Sequence, residues 1–160
     1  MKNVILALSL AYAAGSVGGF MNSLVVWFLG LSGITTVLGI SIAPQLSAAW
    51  LCPRIVWGGL WGFLFLIPLF ANSPFTRGVI YGIGPILVQL FIVFPFKEGK
   101  GIMGLDLGSL TPLLVICANL LWGIVTSYWL ALIETRTRIL FVPSNMLLAL
   151  AIKGGSRSRG

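Results

Sequence analysis

From Leu107 to Ile133 the chain reads LGSLTPLLVICANLLWGIVTSYWLALI, 27 residues without an Asp, Glu, Lys or Arg. A bilayer core of about 30 Å is crossed by roughly 20 residues of helix, so this stretch can span one with residues to spare. Three more stretches of the same kind lie upstream. Residues 3–53, 55–76 and 78–96 are uncharged, bounded by Lys2, Arg54, Arg77 and Lys97. The whole chain agrees with them: 58% of its 160 residues are hydrophobic and 8% are charged. An ordinary soluble domain carries about 25% charged residues, so this chain has too little polar surface to coat a soluble globule.

The first uncharged stretch is long enough for two spans, but only residues 4–29 are nearly continuous apolar sequence. Residues 31–49 contain Ser32, Thr35, Thr36, Ser41, Pro44, Gln45 and Ser47. In lipid the backbone must satisfy its own hydrogen bonds, and Pro44 would remove a donor from the middle of such a helix. This segment therefore reads as a loop on or dipping into the interface. Lys2 and Ala11-Tyr12-Ala13 are reminiscent of a signal peptide, yet the apolar run continues from Val17 to Leu29, so an uncleaved first helix is expected. Residues 139–152 are too few to cross. Ser144, after Pro143, is placed to cap a short interfacial helix from Asn145 to Lys153.

The expected fold is thus an all-α integral membrane protein. Four transmembrane helices at about 4–29, 52–71, 78–96 and 111–133 make a bundle over residues 1–138, and 139–160 form an interfacial segment and basic tail. Four spans put Lys2, Arg77, Arg136, Arg138, Lys153, Arg157 and Arg159 on one side, against Arg54, Lys97 and Lys100 on the other. The cation-rich side is expected to be cytoplasmic, with both termini inside. A net charge of +7 invites a nucleic-acid reading. Its position at membrane ends and in the tail fits the positive-inside rule and anionic headgroups better, so no nucleic acid is expected. Lys153, Arg157 and Arg159 are the candidate tail contacts with lipid or a partner.

Two halves of similar design are visible. Leu60-Trp61-Gly62 and Leu121-Trp122-Gly123 are 61 residues apart, and Gly15, Gly19, Val25 and Phe28 match Gly78, Gly82, Val88 and Phe91 at a spacing of 63. This suggests two tandem two-helix hairpins. Glycines at 15, 18, 19, 58, 59, 62, 82, 84 and 123 would let helix backbones approach closely, which matters where lipid supplies no hydrophobic drive for association. Pro68 and Pro85 are expected to kink or end the second and third helices, while Pro95 and Pro112 flank a compact loop from Lys97 to Thr111.

Chemistry has little to work with. The chain has no His, its Cys52 and Cys117 lack metal-site spacing, and its three acids, Glu98, Asp106 and Glu134, lie at or beyond the span ends. No enzyme, cofactor or metal is therefore expected. The candidate polar residues are Asn22, Gln89 and Asn119, one in each of three helices, with Arg54 at the start of the fourth. They either line one polar cavity or hydrogen-bond neighbouring helices. Arg54 is expected to snorkel to the interface or to pair with Asp106, an anion-binding role being the alternative. Trp27, Trp50 and Trp57 at one interface, and Tyr128 and Trp129 at the other, read as aromatic belts.

From Leu60-Trp61-Gly62 through Pro68, and from Phe91-Ile92-Val93-Phe94-Pro95 through Gly108-Ser109-Leu110-Thr111-Pro112, the chain resembles uncharacterised small four-span bacterial inner-membrane proteins. The resemblance implies a bacterial inner membrane and no assigned activity. The function expected is non-catalytic: an accessory subunit or assembly factor contacting lipid, other membrane proteins or itself. The alternative is a small-solute transporter or channel acting as an oligomer.

Overall fold

The computed structural model of the chain describes residues 2–70 and 72–140. Its backbone there is helical, with turns and short extended connections, in the order α1 (Lys2–Leu31), α2 (Ile34–Val37), α3 (Ala48–Gly62), α4 (Pro74–Val88) and α5 (Thr111–Leu140). Helical structure beyond α3 and α4 makes four helices long and apolar enough to cross a membrane: Val4–Leu31, Ala48–Leu66, Pro74–Lys97 and Thr111–Ile133. The chain divides into two compact units, residues 1–130 and 131–160. The expected helix at Asn145–Lys153 and the cations Lys153, Arg157 and Arg159 lie outside the described residues.

Local chemistry sets the helix ends, and in three places it differs from the expectation. α3 begins at Ala48 rather than near 52, because the Ser47 side chain caps it by accepting from Trp50 N at 3.3 Å. Pro53 therefore falls inside the helix, on an exposed position. At its other end α3 tightens into a 3-10 turn, Phe63–Leu66, and stops short of the expected 71, Pro68 marking its end as one of the two expected outcomes. Pro95, expected beside the outer loop, lies within a π-helical segment, Gln89–Lys97, that continues α4. A proline has no N–H and crowds the carbonyl a turn back, and the wider π turn relieves both. Ser73 caps α4 through Thr76 N, with Pro74 in its first turn.

The segment between α1 and α3 is a loop, as its polarity implies. After α2 it runs without regular structure to Ser47 and meets the second loop, 98–110, where Ser41 N donates to Leu107 O at 2.7 Å. Gly108, with φ +130, lies against Gly39 so closely that a Cβ would strike the Gly39 carbonyl. These two loops mark one end of the first unit.

Helix contacts are made through glycine. A Cβ added at Gly15 would sit 2.8 Å from Gly62 Cα, and one at Gly19 would sit 3.2 Å from Gly58 Cα, so α1 and α3 touch backbone to backbone and antiparallel. α4 and α5 do the same: a Cβ at Gly78 would lie 2.7 Å from Gly123 O, and one at Gly82 would lie 3.0 Å from Asn119 O. Without a Cβ between them, the backbones gain dispersion contact over these surfaces. Between the two pairs, Ala14, Phe65, Tyr81, Trp122 and Leu130 form a buried cluster. Phe65 packs on Tyr81 at 4.7 Å and edge-on to Trp122 at 5.9 Å between centroids.

Candidate functional site

Asn22 lies nine residues before the end of α1, Arg54 six after the start of α3, Gln89 eight before Lys97, and Asn119 eight after the start of α5. At 1.5 Å per residue all four sit roughly 9–14 Å along their helices from the loop end, at one depth. The structure joins them in two groups. Arg54 Nε donates to Ser23 Oγ at 2.9 Å, and its Nη2 donates to Asn22 Oδ1 at 3.0 Å. Asn22 Nδ2 donates in turn to Ala118 O of α5 at 2.9 Å, and Ser23 Oγ donates to Gly19 O at 2.7 Å. In the second group Asn119 Nδ2 is shared between Gln89 Oε1 at 3.0 Å and Val115 O at 2.9 Å. Asn22 and Asn119 are buried, and the peptide that links Ala118 to Asn119 connects the groups. The four side chains thus bond helices to one another.

Arg54 does not reach Asp106. Its guanidinium is held by α1 and lies over the Trp50 ring, 4.8 Å from the centroid, whereas Asp106 stands exposed in the second loop. The physical reason lies in its partners: Ser23 Oγ and Asn22 Oδ1 accept from Nε and Nη2, which turns the guanidinium to α1 and over Trp50 rather than across to the loop.

Compared with protein-family models, curated proteins and solved structures, the chain matches none. What the site can do is therefore read from its own chemistry: amide, hydroxyl and guanidinium groups, with no nucleophile beside a base. Beyond the polar layer, a shallow groove of about 420 Å³ runs between α1 and the loop, lined by Trp27, Gly30, Leu31 and Ala43 to Leu46.

Sequence reasoning missed Arg77. Expected as an interfacial cation, it is 6% exposed, lies with its guanidinium 5.3 Å from the Phe65 ring centroid, and donates from Nη2 to Phe65 O. Tyr81 Oη donates to Ile67 O at 2.6 Å. The last carbonyls of a helix lack intrahelical donors, and Arg77 supplies one to Phe65 O, placing a cation at the negative end of this helix, while Tyr81 adds a second donor to Ile67 O, which already accepts from Leu69 N. The signal available beforehand was Pro68, which stops the helix and leaves carbonyls near its end, Phe65 O among them, short of donors.

Proposed function

We propose that the protein is a non-catalytic integral membrane protein of four spans that serves as an accessory subunit or assembly factor in a bacterial inner membrane, with both termini cytoplasmic. Supporting the membrane reading, Phe28, Trp57, Phe91 and Leu113 are each 47–58% exposed on helices long enough to span, more apolar surface than a soluble monomer tolerates. Supporting a structural role, one observation carries most: Asn22, Arg54, Gln89 and Asn119 are bonded to neighbouring helices, where a conduit needs such groups turned to a cavity. The bundle is read as two tandem hairpins of one design. Gly15 meets Gly62 in the first and Gly78 meets Gly123 in the second, at places related by the repeat spacings of 63 and 61.

Gentle detergent purification with identification of whatever accompanies the protein tests the accessory role, and solute flux in proteoliposomes tests the alternative. A reproducible membrane-protein companion is expected. Specific flux that is lost in folded Asn22→Leu or Asn119→Leu protein would overturn this reading in favour of transport. For topology, single cysteines at Lys100 and Ser156, in a chain with Cys52 and Cys117 replaced by Ala, should label from opposite sides. Labelling from the same side would exclude four spans with both termini inside.

A further inference from the structure

Arg54 has five N–H donors, and the protein uses two of them, on Ser23 Oγ and Asn22 Oδ1. The other three meet no acceptor among the described residues. Nor is there a counter-charge, since the acids whose side chains are described, Glu98 and Asp106, are exposed in the second loop. A half-buried guanidinium without a carboxylate is expensive in an apolar surrounding, and it is stabilised by an anion that fits its planar fork. Its position is fixed rather than adaptable: Ser23 and Asn22 hold one edge, and the Trp50 ring covers one face at 4.8 Å.

We infer that Arg54, braced by Ser23, Asn22 and Trp50, binds the phosphate of an anionic phospholipid at the loop end of the bundle. This rests on the membrane reading above. The lean of Arg54 toward the α3 N-terminus carries its charge to the level of Trp50, where tryptophan and headgroup phosphate share the interface. Continuing along α3 away from that end on the same face, three and seven residues on, Trp57 is 58% exposed and Trp61 is half-buried, both apolar. A cation at the interface with an apolar strip running inward from it matches a headgroup with its acyl chains. A freely diffusing anion would have no use for the strip.

The test is binding of phosphatidylglycerol, with phosphatidylcholine as the zwitterionic control, to the full chain in a non-ionic detergent, read by native mass spectrometry. Wild type should retain one phosphatidylglycerol in preference to phosphatidylcholine. Arg54→Gln, shown folded by its helical circular dichroism, should lose roughly tenfold or more in affinity, as expected for lost hydrogen bonds to a charged group. Arg54→Lys should be intermediate, because it keeps charge but not the fork. Lys97→Gln with Lys100→Gln, which alters the other cations expected at this end, should leave binding unchanged. Equal retention by Arg54→Gln, or loss in the double lysine variant, would overturn the site. Displacement by millimolar inorganic phosphate would overturn the lipid assignment in favour of a soluble anion. If the expressed protein is extracted from membranes by alkaline carbonate, the membrane reading itself fails; carbonate resistance without lipid selectivity removes only this inference.

Discussion

The two hairpins, α1 with α3 and α4 with α5, make the same backbone contact and place different side chains around it. Gly19 approaches Gly58 in the first, and Gly82 approaches Asn119 in the second; Gly58 and Asn119 are 61 residues apart, the spacing of the two Leu-Trp-Gly motifs. The place that is bare backbone in one hairpin therefore carries a buried amide in the other. Arg54 has its counterpart in Val115, a core residue 3% exposed. Close approach of helices is thus the shared property, and polar chemistry is what distinguishes the halves. The tryptophans diverge as well: Trp122 is 2% exposed and its Nε1 donates to Gly15 O at 3.0 Å, whereas Trp61 is half-buried beside Gly84.

If the shared contact holds each hairpin, the largest effects should come from filling it. Gly15→Val and Gly78→Val each push a side chain against backbone, which has no rotamer with which to yield. Each should lose about 1–3 kcal/mol, the usual scale of overpacking, measured by reversible unfolding in mixed detergent. Comparable losses would support equivalent hairpins. A large loss at Gly15 with none at Gly78 would break the comparison.

The four long apolar helices were legible because an uncharged run of 20 or more residues is a local property of the sequence. The loop between α1 and α3 was legible through Pro44 and its polar neighbours, though not the short helix α2 within it or the start of α3 at Ala48. The site was legible in part: Asn22, Arg54, Gln89 and Asn119 do fall at one depth, which distance along each helix sets. Their pairing was not. It depends on helix register, fixed by glycine contacts between residues 37 to 47 apart, and on the acceptors of α1, which hold Arg54 at Asn22 rather than at Asp106. Arg77 was hidden for a related reason, since it bonds a carbonyl, Phe65 O, at the end of another helix.

The polar groups should separate the hairpins more finely. Arg54→Met leaves Asn22 Oδ1 and Ser23 Oγ without their donor, and a buried acceptor stripped of its partner costs about 1–3 kcal/mol. Gln89→Leu should cost less, about 0.5–1 kcal/mol, because Asn119 Nδ2 keeps Val115 O. Pairing Arg54→Met with Asn22→Leu should recover part of the loss, since both ends of the bond are then apolar, and a double-mutant cycle measures the recovery. Equal effects of Arg54→Met and Gln89→Leu would mean that the two groups are energetically alike despite their different chemistry.

The smallest effect should come from the tryptophans. Trp122→Phe removes one hydrogen bond between α5 and α1, worth about 0.6 kcal/mol on average in membrane bundles, together with part of a packed ring. Gly15 O, the acceptor, belongs to the same residue whose Cα touches Gly62, so the bond ties the second hairpin to the contact that holds the first. Trp61→Phe makes the same chemical change at the corresponding place, but on a half-buried ring for which the structure shows no hydrogen bond to the protein. The difference between the two variants isolates the Nε1 bond with the ring change nearly cancelled. Trp122→Phe should be the more destabilising by at least a few tenths of a kcal/mol, at about the scale of that single bond. A larger loss from Trp61→Phe would place the tie between the hairpins on the α3 side, at Trp61 and Gly84, rather than at Trp122 and Gly15.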